Sequence, residues 1–177
     1  MFQQPDQDHK LSKLAPTVIQ DKLVDEMTQL FGRDERRIGH ALAVLSYAER
    51  IRATEGGDPL VVKAAAILHD IGIQEAERKY GSSAGKYQEI EGPPIAEVIL
   101  KKHNVPAETI EHVCKIVANH HSAKDIDTCE FRIIWDADWL LNIPDDHPNA
   151  SKEKLKAIVG RVFKTDEGRR IAEELFL

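Results

Sequence analysis

A histidine and an aspartate stand side by side at His69-Asp70, where the apolar run from Val61 to Leu68 ends and Ile71-Gly72-Ile73 begins. An imidazole nitrogen and a carboxylate oxygen are both good metal ligands. A carboxylate set at the end of a buried helix without a partner pays a large desolvation cost, and a cation is the simplest partner. Candidates to complete such a site lie on other segments. His40 sits in Glu35-Arg36-Arg37-Ile38-Gly39-His40-Ala41-Leu42, and Asp136 and Asp138 sit in Ile133-Ile134-Trp135-Asp136-Ala137-Asp138-Trp139-Leu140. Each is a polar group among residues that belong in a core. On a helix Asp136 and Asp138 point about 200° apart, so only one of them can face a shared ion. Nitrogen and oxygen donors in this mixture suit Mn, Fe, Co, Ni, Zn or Mg, and a position left open marks a catalytic rather than a structural site.

The elements that must hold these residues read as helices. Pro16 opens a first helix carrying Ile19, Leu23, Met27 and Leu30 at helical spacing, with Gly32 as its C-terminal cap; residues 1–15 read as a flexible segment. Asp34 caps a second helix that runs to Glu55-Gly56-Gly57 and carries His40 in its first half. Asp58-Pro59 starts a third, apolar nearly all round as a central helix should be, which finishes on His69-Asp70. Residues 72–94, with Gly81-Ser82-Ser83-Ala84-Gly85 between tyrosines and lysines, read as a loop able to act as a lid. A helix is expected after Pro93-Pro94, another through Ile110 to Val117 ending on Asn119-His120-His121, and another from Glu130 to Asn142. Two amphipathic helices, 151–163 and 165–176, follow with Ser151 and Thr165 as caps. The expectation is an all-α, single-domain helical bundle over residues 16–177, with the site within about 33–143 and the last two helices, 150–177, added to it.

His40, then His69-Asp70, then Ala137-Asp138-Trp139-Leu140 is an order that resembles the HD-domain superfamily of metal-dependent phosphohydrolases. The resemblance runs from Arg36 to Ile143, and its most specific element is Ala66-Ile67-Leu68-His69-Asp70-Ile71-Gly72. It implies an all-helical fold around a divalent metal held by His40, His69, Asp70 and Asp138, and it selects Asp138 over Asp136. It also implies hydrolysis of phosphate esters, most often of nucleotides, by water activated at the metal. With Asp70 committed to the ion, His120 or His121 is the expected proton acceptor. Arg36, one turn before His40, together with Lys63 and Lys86, is expected to neutralise substrate phosphate. Superfamily members with two metals add histidines in the region of His120-His121 and another near Gly92; the latter is missing, since the sequence reads Glu91-Gly92-Pro93-Pro94. That weighs against the alternative of a di-iron oxygenase. A third reading is a metal-binding or nucleotide-binding regulatory module without turnover.

Composition bounds the rest. The 177 residues carry a formal charge of -6, with 42% hydrophobic and 31% charged residues. That balance suits a globular protein and argues against non-specific nucleic-acid binding, which needs a basic face. Cys114 and Cys129 offer no disulfide framework, and Cys114 reads as a core filler. The polar, acidic start and the lack of a long apolar run predict a cytoplasmic protein. The expected partner is a small phosphorylated substrate, and a homodimer is the self-association that symmetry favours. His9, His103, His112 and His147 read as surface residues.

Overall fold

The computed structural model describes residues 16–177, with side chains from residue 18 onward. The expected flexible segment 1–15, and His9 with it, lies outside the described residues. The described residues form nine helices and no strand: α1 (Pro16–Phe31), α2 (Glu35–Glu55), α3 (Pro59–Leu68), α4 (Ile73–Tyr80), α5 (Gly85–Lys102), α6 (Ala107–Val117), α7 (Cys129–Asp146), α8 (Lys152–Val162) and α9 (Asp166–Phe176).

Capping chemistry sets the helix boundaries. Asp34 accepts from the Arg37 amide at the start of α2, and Asp58 accepts from the amides of Leu60 and Val61 with Pro59 as the first residue of α3. Thr128, Ser151 and Thr165 do the same for α7, α8 and α9. Each such cap satisfies amides that the helix itself leaves unpaired and contributes about 1 kcal/mol.

The central element is α3, which packs against α1, α2, α6 and α7. Its burial follows from its composition, since Val61, Val62 and every residue from Ala64 to Leu68 are buried. Three consecutive alanines let neighbouring helices come close, and Ile67 and Leu68 fill the space between them. Truncating Leu68 to alanine would cost about 2–5 kcal/mol. Because α3 is enclosed, its C-terminus delivers His69 and Asp70 to the centre of the molecule.

The segment 72–94 departs from the expected loop. It holds α4 and the first half of α5, joined by residues 81–84. The proline pair does not start a helix; it lies inside α5. A helix-interior proline forfeits an amide and costs about 3 kcal/mol. Tertiary packing offsets that cost here, because Ala96, Ile99 and Leu100 are buried and α5 lies along both α4 and α6. Glycine makes the approach feasible: a Cβ on Gly72 would meet the Gly92 amide nitrogen at 2.4 Å. The stacked rings of Tyr80 and Tyr87, 4.1 Å apart, join α4 to α5.

Candidate metal centre

Four elements converge on one point. The end of α3 supplies His69 and Asp70, α2 supplies His40, α7 supplies Asp138, and the turn after α6 supplies His120 and His121. His40 Nε2 lies 2.9 Å from Asp138 Oδ1 and 3.8 Å from Asp70 Oδ2. His69 Nε2 lies 3.4 Å from His40 Nε2, 3.4 Å from Asp70 Oδ2 and 3.6 Å from Asp138 Oδ1. His120 Nε2 is 3.3 Å from Asp70 Oδ1, the other oxygen of that carboxylate. Two groups of donors therefore share Asp70: His40, His69 and Asp70, and Asp70, His120 and His121, the atoms of each group within 4.8 Å of one another.

The backbone fixes which ring nitrogens face inward. His69 Nδ1–H donates to the Ala66 carbonyl at 2.8 Å, and His120 Nδ1–H donates to the Val117 carbonyl at 2.7 Å. In each neutral ring that leaves the Nε2 lone pair pointing at carboxylate oxygens, an arrangement of acceptors that needs a cation or an added proton between them. Such outer hydrogen bonds orient metal-ligating histidines. The donor set fits a divalent ion, and His40, His69, Asp70 and Asp138 are the residues that would hold it.

Electrostatics agree with that fit. Burial opposes charge on His69, which is 0% exposed, but Asp70 and Asp138 outweigh it and hold the imidazole well above its ordinary pKa. Burial likewise works to raise Asp70 and Asp138. The charge on His69 and hydrogen bonds from His120 and His69 hold Asp70 well below the carboxylate range, and hydrogen bonds from His40 and His69 lower Asp138. His121 reaches solvent at the cleft mouth, yet protein crowds its ring; this desolvation, then the neighbouring His120, pushes it down to about 4. It is neutral at pH 7.

The cluster opens on a cleft of about 710 Å³. Among the other expected site residues, Arg36 lies on its rim, highly exposed and 3.9 Å from Asp145. Lys63 and Lys86 are not among the lining residues: Lys63 pairs with Glu49 at 3.0 Å, and Lys86 lies over the Tyr87 ring. The segment expected as a lid forms part of the cleft wall, through Ser83 and Gln88. The start of α5 packs on His121, where a Cβ on Gly85 would fall 2.6 Å from the imidazole. Beside it Gln88 is buried, its Nε2–H donating to the Ser83 carbonyl at 2.7 Å while Oε1 has no protein partner.

Asp136 is 0% exposed and far from a surface role. Its oxygens accept from the amides of Lys164 and Thr165 at 2.8 and 2.7 Å and from the Thr165 hydroxyl at 2.6 Å, so it clamps the α8–α9 junction to α7. His103 and His112 also tie elements together: His103 meets Glu26 at 2.9 Å, and His112 meets the Thr128 hydroxyl at 2.9 Å. Cys114 is half-buried rather than fully enclosed. Sequence reasoning missed Trp139, Asn142 and Asp145 as cleft residues. Helical arithmetic from Asp138 could have found the last two, which follow it by one and two turns on the same face.

The HD domain family profile matches residues 37–143. The chain belongs to the HD domain family. Family and donor set together assign a divalent metal to the cluster. A predicted HD superfamily hydrolase from an uncultured Thermotogales bacterium has a similar fold, with a TM-score of 0.66 and 22% identity over 94% of this chain and 88% of that one. So does an HD-superfamily hydrolase from Bacillus thuringiensis, at 0.61 and 18% over 90% of each chain. In sequence, the chain is similar to Ribonuclease Y of Clostridium tetani, 30% identical over 155 residues, 82% of this chain and 26% of that protein. Ribonuclease Y of a Nitratiruptor species is 28% identical over 80% of this chain and 26% of its own length. The chain thus spans about a quarter of the curated relatives it matches. No helix among the described residues is long and apolar enough to cross a membrane.

Proposed function

We propose that this HD domain is a metal-dependent phosphohydrolase that cleaves a phosphate ester of a nucleotide or related small molecule in the cytoplasm. The observation that supports this most is the convergence of His40, Asp70 and Asp138 on an open cleft with the buried His69 beneath them, and His120 and His121 alongside. A divalent ion, when bound, supplies charge neutralisation to a phosphoryl group and acidifies water. His121, neutral at pH 7 and open to the cleft, accepts a proton from the attacking water or hydrogen-bonds a phosphoryl oxygen. His120, oriented by the Val117 carbonyl, holds Asp70 in place through the carboxylate oxygen that His69 does not meet. Arg36 carries a cation at the rim, although Asp145 shares it.

A second reading has support in the similarity to Ribonuclease Y: the scissile ester would be an RNA phosphodiester. The formal charge of -6 counts against affinity for a polyanionic strand. The di-iron alternative requires a second ion on Asp70, His120 and His121.

The test is a phosphate-release screen of the full chain loaded separately with Mn, Co, Ni, Zn, Fe and Mg, with metal per chain and an optical spectrum recorded in parallel. One divalent ion and metal-dependent release of phosphate are expected. Two irons with an oxygen-sensitive visible band would replace the hydrolase with an oxygenase, and bound metal with no turnover on any ester would leave a binding module. Mass in solution reads whether the chain forms the expected homodimer.

A further inference from the structure

Beyond the donor cluster, the cleft has walls whose chemistry the metal does not explain. It runs along α7 on both sides of Asp138, lined by Trp135 before it and by Trp139, Asn142, Asp145 and Asp146 after it. Trp135 is fixed in place, its Nε1–H donating to the Val162 carbonyl at 3.0 Å and Lys164 Nζ standing 5.0 Å from its ring centre. Trp139 stands beside it, the two ring centres 6.2 Å apart. Trp139 lines the same cleft as Asp138, so the cleft offers indole surface to a ligand whose phosphate sits at the cluster. Flat aromatic surface of this kind stacks on a heterocycle and reads no particular base.

The charge on the cleft points the same way. Among the described residues, Arg36 and Arg37 are the lining side chains with a fixed positive charge, against Asp70, Asp138, Asp145 and Asp146. Arg37 is occupied, its two terminal nitrogens donating to Glu77 at 3.2 and 2.6 Å and one of them lying 3.1 Å from Asp34. Arg36 is shared with Asp145. A divalent ion balances the cluster, and for a second or third phosphate the described lining offers only Arg36, an exposed rim side chain beside Asp145. Each further phosphoryl group would extend toward the carboxylates of Asp145 and Asp146, where like charges repel.

We propose that the cleft selects a phosphomonoester carrying an aromatic heterocycle, with one phosphate at the cluster and the ring on Trp139, and that Asp145 and Asp146 reject nucleoside polyphosphates and RNA strands. The inference rests on the phosphohydrolase reading of the same site. In the reaction, water oxygen bonds to phosphorus, the P–O ester bond breaks, and the water proton passes to the departing nucleoside oxygen, yielding nucleoside and inorganic phosphate.

The experiment compares the Mn-loaded full chain on a nucleoside 5′-monophosphate, the matching diphosphate and triphosphate, glycerol phosphate and a short RNA, with products resolved by chromatography. The kcat/KM for the monophosphate is expected to exceed that for the triphosphate and that for glycerol phosphate by about tenfold or more each. Trp139→Ala should erase the advantage over glycerol phosphate, while Trp139→Phe, which keeps a ring, should retain most of it; a merely structural role for Trp139 would lower both esters together. Asp145→Asn combined with Asp146→Asn should narrow the gap to the triphosphate by about tenfold. Equal or faster cleavage of the triphosphate or the RNA overturns the proposal. If no ester is cleaved, the phosphohydrolase reading fails, and thermal shifts with the same ligands decide selectivity separately. A larger shift with the monophosphate than with the triphosphate sustains it, and an equal or smaller one overturns it.

Discussion

Two carboxylates on α7, only two residues apart, show how burial alone fails to distinguish a site from a scaffold. Asp136 and Asp138 are 0% and 7% exposed, so exposure does not separate them; only the Ala137-Asp138-Trp139-Leu140 resemblance does so in the sequence. In the structure their partners do. Asp136 accepts three hydrogen bonds from uncharged donors at the α8–α9 junction, and burial, only partly opposed by those bonds, pushes it up to about 6. Asp138 faces His40 and His69, and their hydrogen bonds hold it below its ordinary value in spite of burial. A carboxylate whose oxygens are met by backbone amides is doing structural work. One that shares its space with inward-facing imidazole nitrogens and a second carboxylate is poised for a cation.

The largest expected effect lies on the imidazole side of this contrast. His69→Ala or Asp70→Ala should lower metal affinity by more than about a hundredfold, since even the outer partners of ligating groups are worth about 10–100-fold. Metal content and turnover should fall together while the helical circular dichroism persists; retained turnover in either variant would break the assignment. On the scaffold side, Asp136→Ala strands two amides and a hydroxyl, and should destabilise the fold by about 3 kcal/mol or more in urea titration, with metal retained by the folded fraction. Loss below about 1 kcal/mol would show that the clamp is dispensable.

Acidity sharpens the contrast through its opposite signs. In the metal-free chain, the stability that Asp70 and Asp138 contribute is present above their unfolded pKa near 4 and is lost as pH falls toward their lowered folded values. The contribution of His69 is present below about 6.5 and is lost as pH rises through its raised folded value. Asp136 binds its proton more tightly folded than unfolded, so its contribution declines as pH climbs from about 4 to about 6. Metal loading must displace the His69 proton, so metal affinity should rise with pH across the neutral range, as measured by competition with a chelator. A flat profile would contradict the protonated bridge. Smallest of all on activity, Lys63→Ala should leave turnover intact, because Lys63 pairs with Glu49 away from the cleft lining, while the lost packing of its largely buried side chain should cost about 1 kcal/mol of stability.

Helix starts were legible at Asp34, Asp58, Ser151 and Thr165, where a side chain caps an amide, because that chemistry is local; the same cap at Thr128 was not read, and α7 runs from Cys129 to Asp146 instead of from Glu130 to Asn142. The segment 72–94 was not. Glycines and paired prolines carry a local preference for loops, and it is overruled by contacts distant in sequence, Gly72 on Gly92 and Gly85 on His121. The same limit explains the cationic residues. Spacing from His40 puts Arg36 near the cleft, but which carboxylate claims an arginine or a lysine, Asp145 for Arg36 and Glu49 for Lys63, is decided by packing between helices. Gln88 gave no signal at all, since an amide becomes notable only when one of its atoms is buried without a partner.

The most direct measurement is the metal content of the purified full chain beside its Asp138→Asn and Asp136→Asn variants, after equilibration with one divalent metal and removal of excess. Metal should be lost from Asp138→Asn and retained by folded Asp136→Asn. Retention in Asp138→Asn, or loss from Asp136→Asn alone, would contradict the centre described here.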